Sequence, residues 1–243
     1  DPGALGRLPG VGRYTAGVIG LHTAPPPSDR FQLEFEIDAL RASGLLVVPL
    51  PDQRGSVALA VRRSYFELLL PLITDSVSLS YTDYQLRLDY KISDEVRASL
   101  FIFGSRDSLE TAQAAGSTSG GQGTNTGLHY AFDQLIAAVD WTPIRRFKLR
   151  WSGTVGPSHV EFANERANAD SIGTDTGAMR LGERLEARII ESEQLETRLG
   201  ADLDVFLTNV RAAAPSIAQL PGIPSPGPPT SSIELQDRLL QLG

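Results

Sequence analysis

Cysteine is absent from the 243 residues, which excludes a disulfide scaffold, a thiol nucleophile and any thiolate-held zinc or iron–sulfur centre. Metals held by oxygen or histidine are all that remain. Lysine is nearly absent too, with Lys91 and Lys148 the only two among 22 basic residues. Against 29 acidic residues these give a net charge of −7, which opposes the phosphate contacts that nucleic-acid binders depend on, so no nucleic-acid partner is expected. No apolar run approaches the roughly 18 to 20 residues of a spanning helix. The longest, Leu68 to Ile73, is interrupted by Pro71, and a helical membrane protein is excluded. Catalytic signatures are missing as well: there is no H-E-x-x-H, no G-x-S-x-G and no Walker A loop. Gly121 to Gly127 comes nearest to a dinucleotide fingerprint, but its last glycine falls one position late and no βαβ pattern surrounds it. Neither an enzymatic activity nor a cofactor is expected. The chain opens at Asp1 without a charged-then-apolar leader, which reads as a processed product or a piece of something longer.

What is present is alternation. In Phe31 to Ala39 every odd position is apolar and every even one polar or charged. Tyr84 to Ile92 repeats the pattern, with Tyr84, Leu86, Leu88, Tyr90 and Ile92 on one face and Gln85, Arg87, Asp89 and Lys91 on the other. Phe147 to Val155 and Leu195 to Val205 follow the same grammar. Weaker members are Ser56 to Arg63, Val96 to Gly104, Tyr130 to Trp141 and Met179 to Ile190, with Leu45 to Leu50 read as continuing the first strand. A helix through these windows would scatter charge around its whole circumference, so strands are predicted, about nine of them.

Connections between the strands alternate in length. Pro51 to Gly55, Ser93 to Glu95, Thr142 to Arg146 and Ser192 to Gln194 are tight turns. Long connections fall near 64–78, 105–127, 163–178 and 209–232, the third rich in Asn and Asp, the second in Gly and Ser, and the last in proline. Strict alternation puts all tight turns at one end of an up-and-down antiparallel sheet. Together with an ionic face, that asymmetry describes a transmembrane β-barrel, with a lipid-facing apolar side and a hydrated lumen. The expected fold is therefore all-β: a partial antiparallel up-and-down transmembrane β-barrel. The rival is a soluble or surface β-sandwich that binds carbohydrate, in which the apolar faces pack together. Detergent dependence separates the two.

Candidate ligand residues are few. His22, His129 and His159 show no metal-ligand spacing, and Asn164, Glu165, Asn168, Asp170 and Asp175 form an oxygen-rich stretch that fits no calcium-loop pattern. Both sets read as solvated loop or interfacial residues, and no metal site is expected. Trp141 adjoins the turn at Thr142, where an aromatic girdle would lie. The candidates to line a hydrated interior are Gln85, Arg87, Asp89, Lys91, Lys148, Arg150, Arg198, Asp202 and Asp204.

Leu8-Pro-Gly-Val-Gly-Arg-Tyr-Thr-Ala-Gly-Val-Ile-Gly-Leu-His-Thr23 resembles the end of the plug domain of TonB-dependent outer-membrane receptors. The likeness continues through Gly55 to Leu70, Tyr81 to Tyr90 and Ser99 to Asp107, which look like early barrel strands of such receptors. It implies that residues 1–24 are the C-terminal end of a plug and 25–243 the N-terminal part of the barrel. The resemblance further implies a Gram-negative outer-membrane location and contact with outer-membrane lipid. It also implies energy-coupled uptake of a scarce solute of the siderophore, cobalamin or oligosaccharide class. The energy-coupling protein would act through plug segments that precede this stretch. Such receptors close with about twenty-two strands, so the chain is expected to be a fragment, with Leu235 to Leu242 starting a further strand or forming a short helix. A passive porin, lacking a plug, is the third alternative.

Overall fold

In the computed structural model, residues 24–113, 124–166, 172–192, 195–215 and 230–242 are described. The proposed plug end therefore lies outside the described residues, apart from Ala24. The described chain forms ten strands: β1 (Gln32–Ile37), β2 (Arg41–Pro49), β3 (Gly55–Ser64), β4 (Val77–Lys91), β5 (Val96–Gln113), β6 (Thr124–Ile144), β7 (Phe147–Arg166), β8 (Ile172–Ile190), β9 (Glu196–Pro215) and β10 (Thr230–Leu242). A four-residue helix, α1 (Phe66–Leu69), and a 3-10 turn at Leu70–Leu72 fill the connection from β3 to β4.

All ten strands belong to one antiparallel sheet in sequence order, each bonded to the next. β1 and β10 are its two edges, and the sheet is not closed. Among the described residues only Val47 and Ala138 are buried apolar side chains, so no second layer packs on either face and a sandwich does not form. The alternation that predicted the strands reports two exposures of one layer.

Two expectations need correction. Leu45 to Leu50 does not continue the first strand: a turn at Asp38–Leu40 reverses the chain, and Leu33 pairs with Leu46 in a hairpin. The Asp38 carboxylate causes the reversal, accepting bonds from the Leu40 and Arg41 amides at 2.7 and 2.9 Å, a local side-chain turn that competes with strand extension. That hairpin adds a tight turn at the end where the long connections lie. Long connections are also shorter than predicted, because strands run on into them: β5 reaches Gln113, β6 starts at Thr124 and β9 ends at Pro215. Backbone pairing there satisfies amides even where side-chain alternation weakens. Leu235 to Leu242 lies within β10 and is strand, not helix.

The four turns at the opposite end step against the register. Relative to the row containing Leu59, Leu86, Val155 and Leu181, the last pairs before each turn lie at Ser56, Lys91, Phe147 and Ile190, which are three, five, eight and nine residues away. Six residues of descent over six strand spacings is about one residue per strand. With ~3.3 Å per residue and ~4.8 Å between strands, level turns would require the strands to tilt by roughly 35°, within the range of barrels.

Candidate functional site: a polar face and the cavity on it

Register assigns each residue to a face, because paired residues in antiparallel strands point to the same side. One row crosses the whole sheet: Leu33, Leu46, Leu59, Leu86, Ile102, Leu135, Val155, Leu181, Val205 and the Leu240 position of β10. Every member is aliphatic. On this apolar face the band runs from Phe147 to Pro157 in β7 and from Leu199 to Leu207 in β9, eleven and nine residues. Trp141, Trp151 and Tyr90 sit on it toward the tight-turn end. Glu183, exposed between Gly153 and Leu203, is the one charge inside the band in β8.

At the other end of the band the character changes within one residue pair. Tyr84 donates to the Asp133 carboxylate, which also takes Arg106 at 2.7 Å, all three on the apolar face. Gly104 lies between them. A Cβ there would meet the Phe132 carbonyl at 2.6 Å, the Asp133 carboxylate at 2.7 Å and the Tyr84 hydroxyl at 2.8 Å, so glycine makes the cross-strand contact possible. Pro157, which has no amide hydrogen, coincides with a gap in the β6–β7 pairing at Asp133 and Gln134. Beyond this level the apolar face turns polar. His129 pairs in register with Glu161, and Glu161 with Asp175; His159 lies 3.6 Å from Asp175.

The opposite face carries all nine residues proposed to line a hydrated interior: Gln85, Arg87, Asp89, Lys91, Lys148, Arg150, Arg198, Asp202 and Asp204 share it by register. Their charges are matched locally. Arg87 binds Asp89 at 2.5 Å; Lys148 and Arg150 converge on Asp140 at 3.0 and 3.2 Å; Arg180 reaches Asp204 at 3.0 Å; Arg198 and Arg188 share Glu196. The more exposed of these pairs contribute little stability each, about 0.2–1 kcal/mol, while Arg87–Asp89 is part-buried and Asp204 is buried; together they keep an ionic surface electrically balanced.

This face is concave. Glu34 of β1 and Phe132 of β6 line one cavity of about 900 Å³, although five spacings of a flat sheet would hold those strands roughly 24 Å apart. Its floor is aromatic: Phe101 and Phe103 stack at 4.8 Å, and Phe132 meets Phe103 edge-on at 5.8 Å. Its walls hold Arg62, bound to Asp83 through Nε at 2.8 Å, and Ser105, which donates to Asp83 and Asp107 at 2.9 Å each. Glu36 at the rim pairs with Arg41 at 3.5 Å, while Glu34 is held only by the Gln32 amide among the described residues. A second cavity of about 520 Å³ lies near the tight turns, between the ionic rows and the segment Pro25–Ser28. There the fully buried Ser56 donates to the Pro26 carbonyl at 3.0 Å, so the chain entering β1 runs along the polar face.

The sequence pointed to the ionic rows through period two. It did not point to the aromatic floor, because Phe101 and Phe103 alternate with Leu100 and Ile102, so β5 is apolar on both faces there and gives no phase. Only register with Gln85 and Gln134 places those rings on the polar side. Among the described residues no three His, Asp or Glu side chains gather as a metal group. Asn164, Glu165 and Asp175 of the oxygen-rich stretch fall in β7 and β8, and Asn168 and Asp170 lie outside the described residues, as does His22.

The fold and these cavities define an open, curved, single-layer antiparallel sheet with unlike faces. Comparison with known proteins adds nothing to that class: no family model, no curated protein and no solved structure matches the chain.

Proposed function

We propose that the chain forms part of the wall of an outer-membrane β-barrel, the apolar face toward lipid and the concave ionic face toward a hydrated lumen. The observation that carries this reading is the aliphatic row across ten strands, bounded at a constant level by Tyr84, Arg106 and Asp133. Nine to eleven residues per strand, tilted by roughly 35°, span about 22–28 Å, which matches the ~25 Å apolar belt of such barrels. Beyond the belt, polar groups on the same face suit strands that continue into water. The open edges at β1 and β10 call for further strands, because lipid offers no partner to free backbone amides.

Within that class, the reading is a plugged, energy-coupled receptor that imports a scarce solute, with a TonB-type protein as its energy-coupling partner. Its support is the resemblance of Leu8 to Thr23 to a plug end, together with the course of Pro25–Ser28 along the concave face. Transport of this kind is binding and gating, with no covalent step.

Single cysteines test the orientation in a chain that has none of its own. In vesicle-reconstituted protein, Leu88→Cys and Leu203→Cys should react with a membrane-soluble maleimide, and Gln85→Cys and Asp202→Cys with a charged one. The reverse pattern would eliminate the barrel reading.

A further inference from the structure

The aromatic cavity lies where the concave face changes character. Toward the tight turns that face is built from matched ions, toward the long connections it carries Leu79, Tyr130 and Phe162, and at the change Phe101, Phe103 and Phe132 are grouped on the cavity floor with Leu45 and Ala60 alongside. Exposed to water, three clustered rings are a cost that nothing in the sheet's own pairing requires. Grouped on one cavity floor, the three rings offer an apolar surface that an occupant would cover.

Three properties of the cavity define that occupant. Its volume, about 900 Å³, suits a small organic molecule and is far too small for a folded partner. Its floor offers ring faces and aliphatic carbon, with the Gln85 amide between Ala60 and Phe103 as the neutral polar group beside them. Its ionisable lining is three carboxylates and one guanidinium, Glu34, Glu36 and Asp83 against Arg62. Arg62 is engaged by Asp83 and Glu36 by Arg41, which leaves the Glu34 carboxylate without a cation among the described residues. An aromatic floor in one cavity with an unmatched carboxylate is an arrangement that attracts an organic cation, through ring-face electrostatics and charge together.

The geometry points to a binding site for a small organic cation with an apolar body, its carbon skeleton on Phe101, Phe103 and Phe132 and its charged nitrogen toward Glu34. The assignment narrows the solute class of the proposed receptor and rests on the reading that the concave face is an accessible lumen. Selectivity against anions follows from the excess of carboxylates over guanidinium in the lining.

The test is calorimetric titration of the full chain in lipid nanodiscs, with empty nanodiscs as the blank. Four water-soluble probes are used: benzyltriethylammonium, benzyl alcohol, phenylacetate and maltotriose. Benzyltriethylammonium should bind at least tenfold more tightly than phenylacetate and than maltotriose. Glu34→Gln should erase most of the advantage of the cation over benzyl alcohol, and this exposed edge position leaves folding intact. Phe103→Ser should weaken the cation and the alcohol alike by tenfold or more, with unchanged far-ultraviolet circular dichroism. Equal binding of cation and anion, or indifference to Glu34→Gln, overturns the assignment. So does a Phe103→Cys thiol that a charged maleimide cannot reach before any probe is added, since the chain itself would then cover the floor. Loss of the wall orientation is read separately, from the labelling at Leu88 and Asp202.

Discussion

Leu88 sits at the centre of the apolar band in β4, four residues from Tyr84 and four from Ile92, flanked in register by Val57 and Leu100. With ~3.4 Å per residue and a tilt of roughly 35°, it lies about 11 Å from either limit of the band. If that band faces hydrocarbon, Leu88→Arg places a guanidinium near the bilayer midplane, at a cost of about 2–4 kcal/mol, whereas Ile92→Arg, at the limit, costs about 0–1 kcal/mol. Gln85→Arg, on the ionic face, should stay within about 0.5 kcal/mol. In populations, the first change lowers the folded-to-unfolded ratio by about 30- to 1000-fold. The assay is guanidinium unfolding of the chain in phosphatidylcholine vesicles, followed by tryptophan emission from Trp141 and Trp151, with slopes compared across the variants. What identifies lipid is the depth gradient, since a water-excluding protein core would penalise arginine by local packing and not by distance from the band's edge. Equal cost at Leu88 and Ile92, or a larger cost at Gln85, would refute the reasoning.

Two of the remaining consequences, at Gly104 and Asp38, are independent of the membrane. Gly104→Ala should separate Tyr84 from Asp133 and destabilise the sheet by about 1–3 kcal/mol through overpacking against backbone that cannot yield, which equilibrium unfolding would report; a neutral result would mean β5 and β6 can shift apart. The Asp38 carboxyl is held below the usual carboxylate range, first by the Leu40 amide and then by the Arg41 amide and guanidinium, partly opposed by desolvation. Because its folded-state pKa is depressed, its contribution is present above the unfolded value of about 3.9 and disappears as pH falls through the lower folded value. Amide protection at Leu40 and Arg41 should therefore drop in strong acid, and Asp38→Ala should be low and flat across the same range. Glu183→Leu should raise the stability of the vesicle-bound chain, by about 1–2 kcal/mol, since a carboxylate inside the apolar band is a smaller version of the same penalty; no gain would place that part of β8 outside hydrocarbon.

The extent to which this fold was legible in the sequence follows from where period two is clean. Tyr84 to Ile92 alternates without exception, apolar on one face and polar on the other, and the structure keeps that phase from β4 through β9. The turn at Asp38 escaped detection because its signal is a hydrogen bond from one carboxylate to two amides, with no glycine or proline to mark it. Extensions of β5, β6, β7, β8 and β9 escaped for another reason. Past Asp133 the two faces exchange character: Leu79, Tyr130 and Phe162 stand on the concave side, while His129, Glu161 and Asp175 stand on the outer one. A strand that reverses its amphipathic sense midway reads as the end of a strand, although its backbone pairing continues unbroken through Gln113 and Thr124.

That reversal also bears on the architecture. A sheet in uniform surroundings keeps one sense along its whole length, since each face has one medium to satisfy. On the proposed wall reading, an exchange within one residue pair, at the level of Tyr84, Arg106 and Asp133 in three successive strands, marks where the medium changes. The aromatic cavity lies at this same level on the concave side, where Phe101, Phe103 and Phe132 are the first rings above the ionic rows of β4 to β6. A solute reaching it from the end with the long connections would pass the apolar side chains of Tyr130 and Phe162 before meeting matched charge. On the proposed reading, that order of contacts would favour retention of an apolar cation above the ionic half.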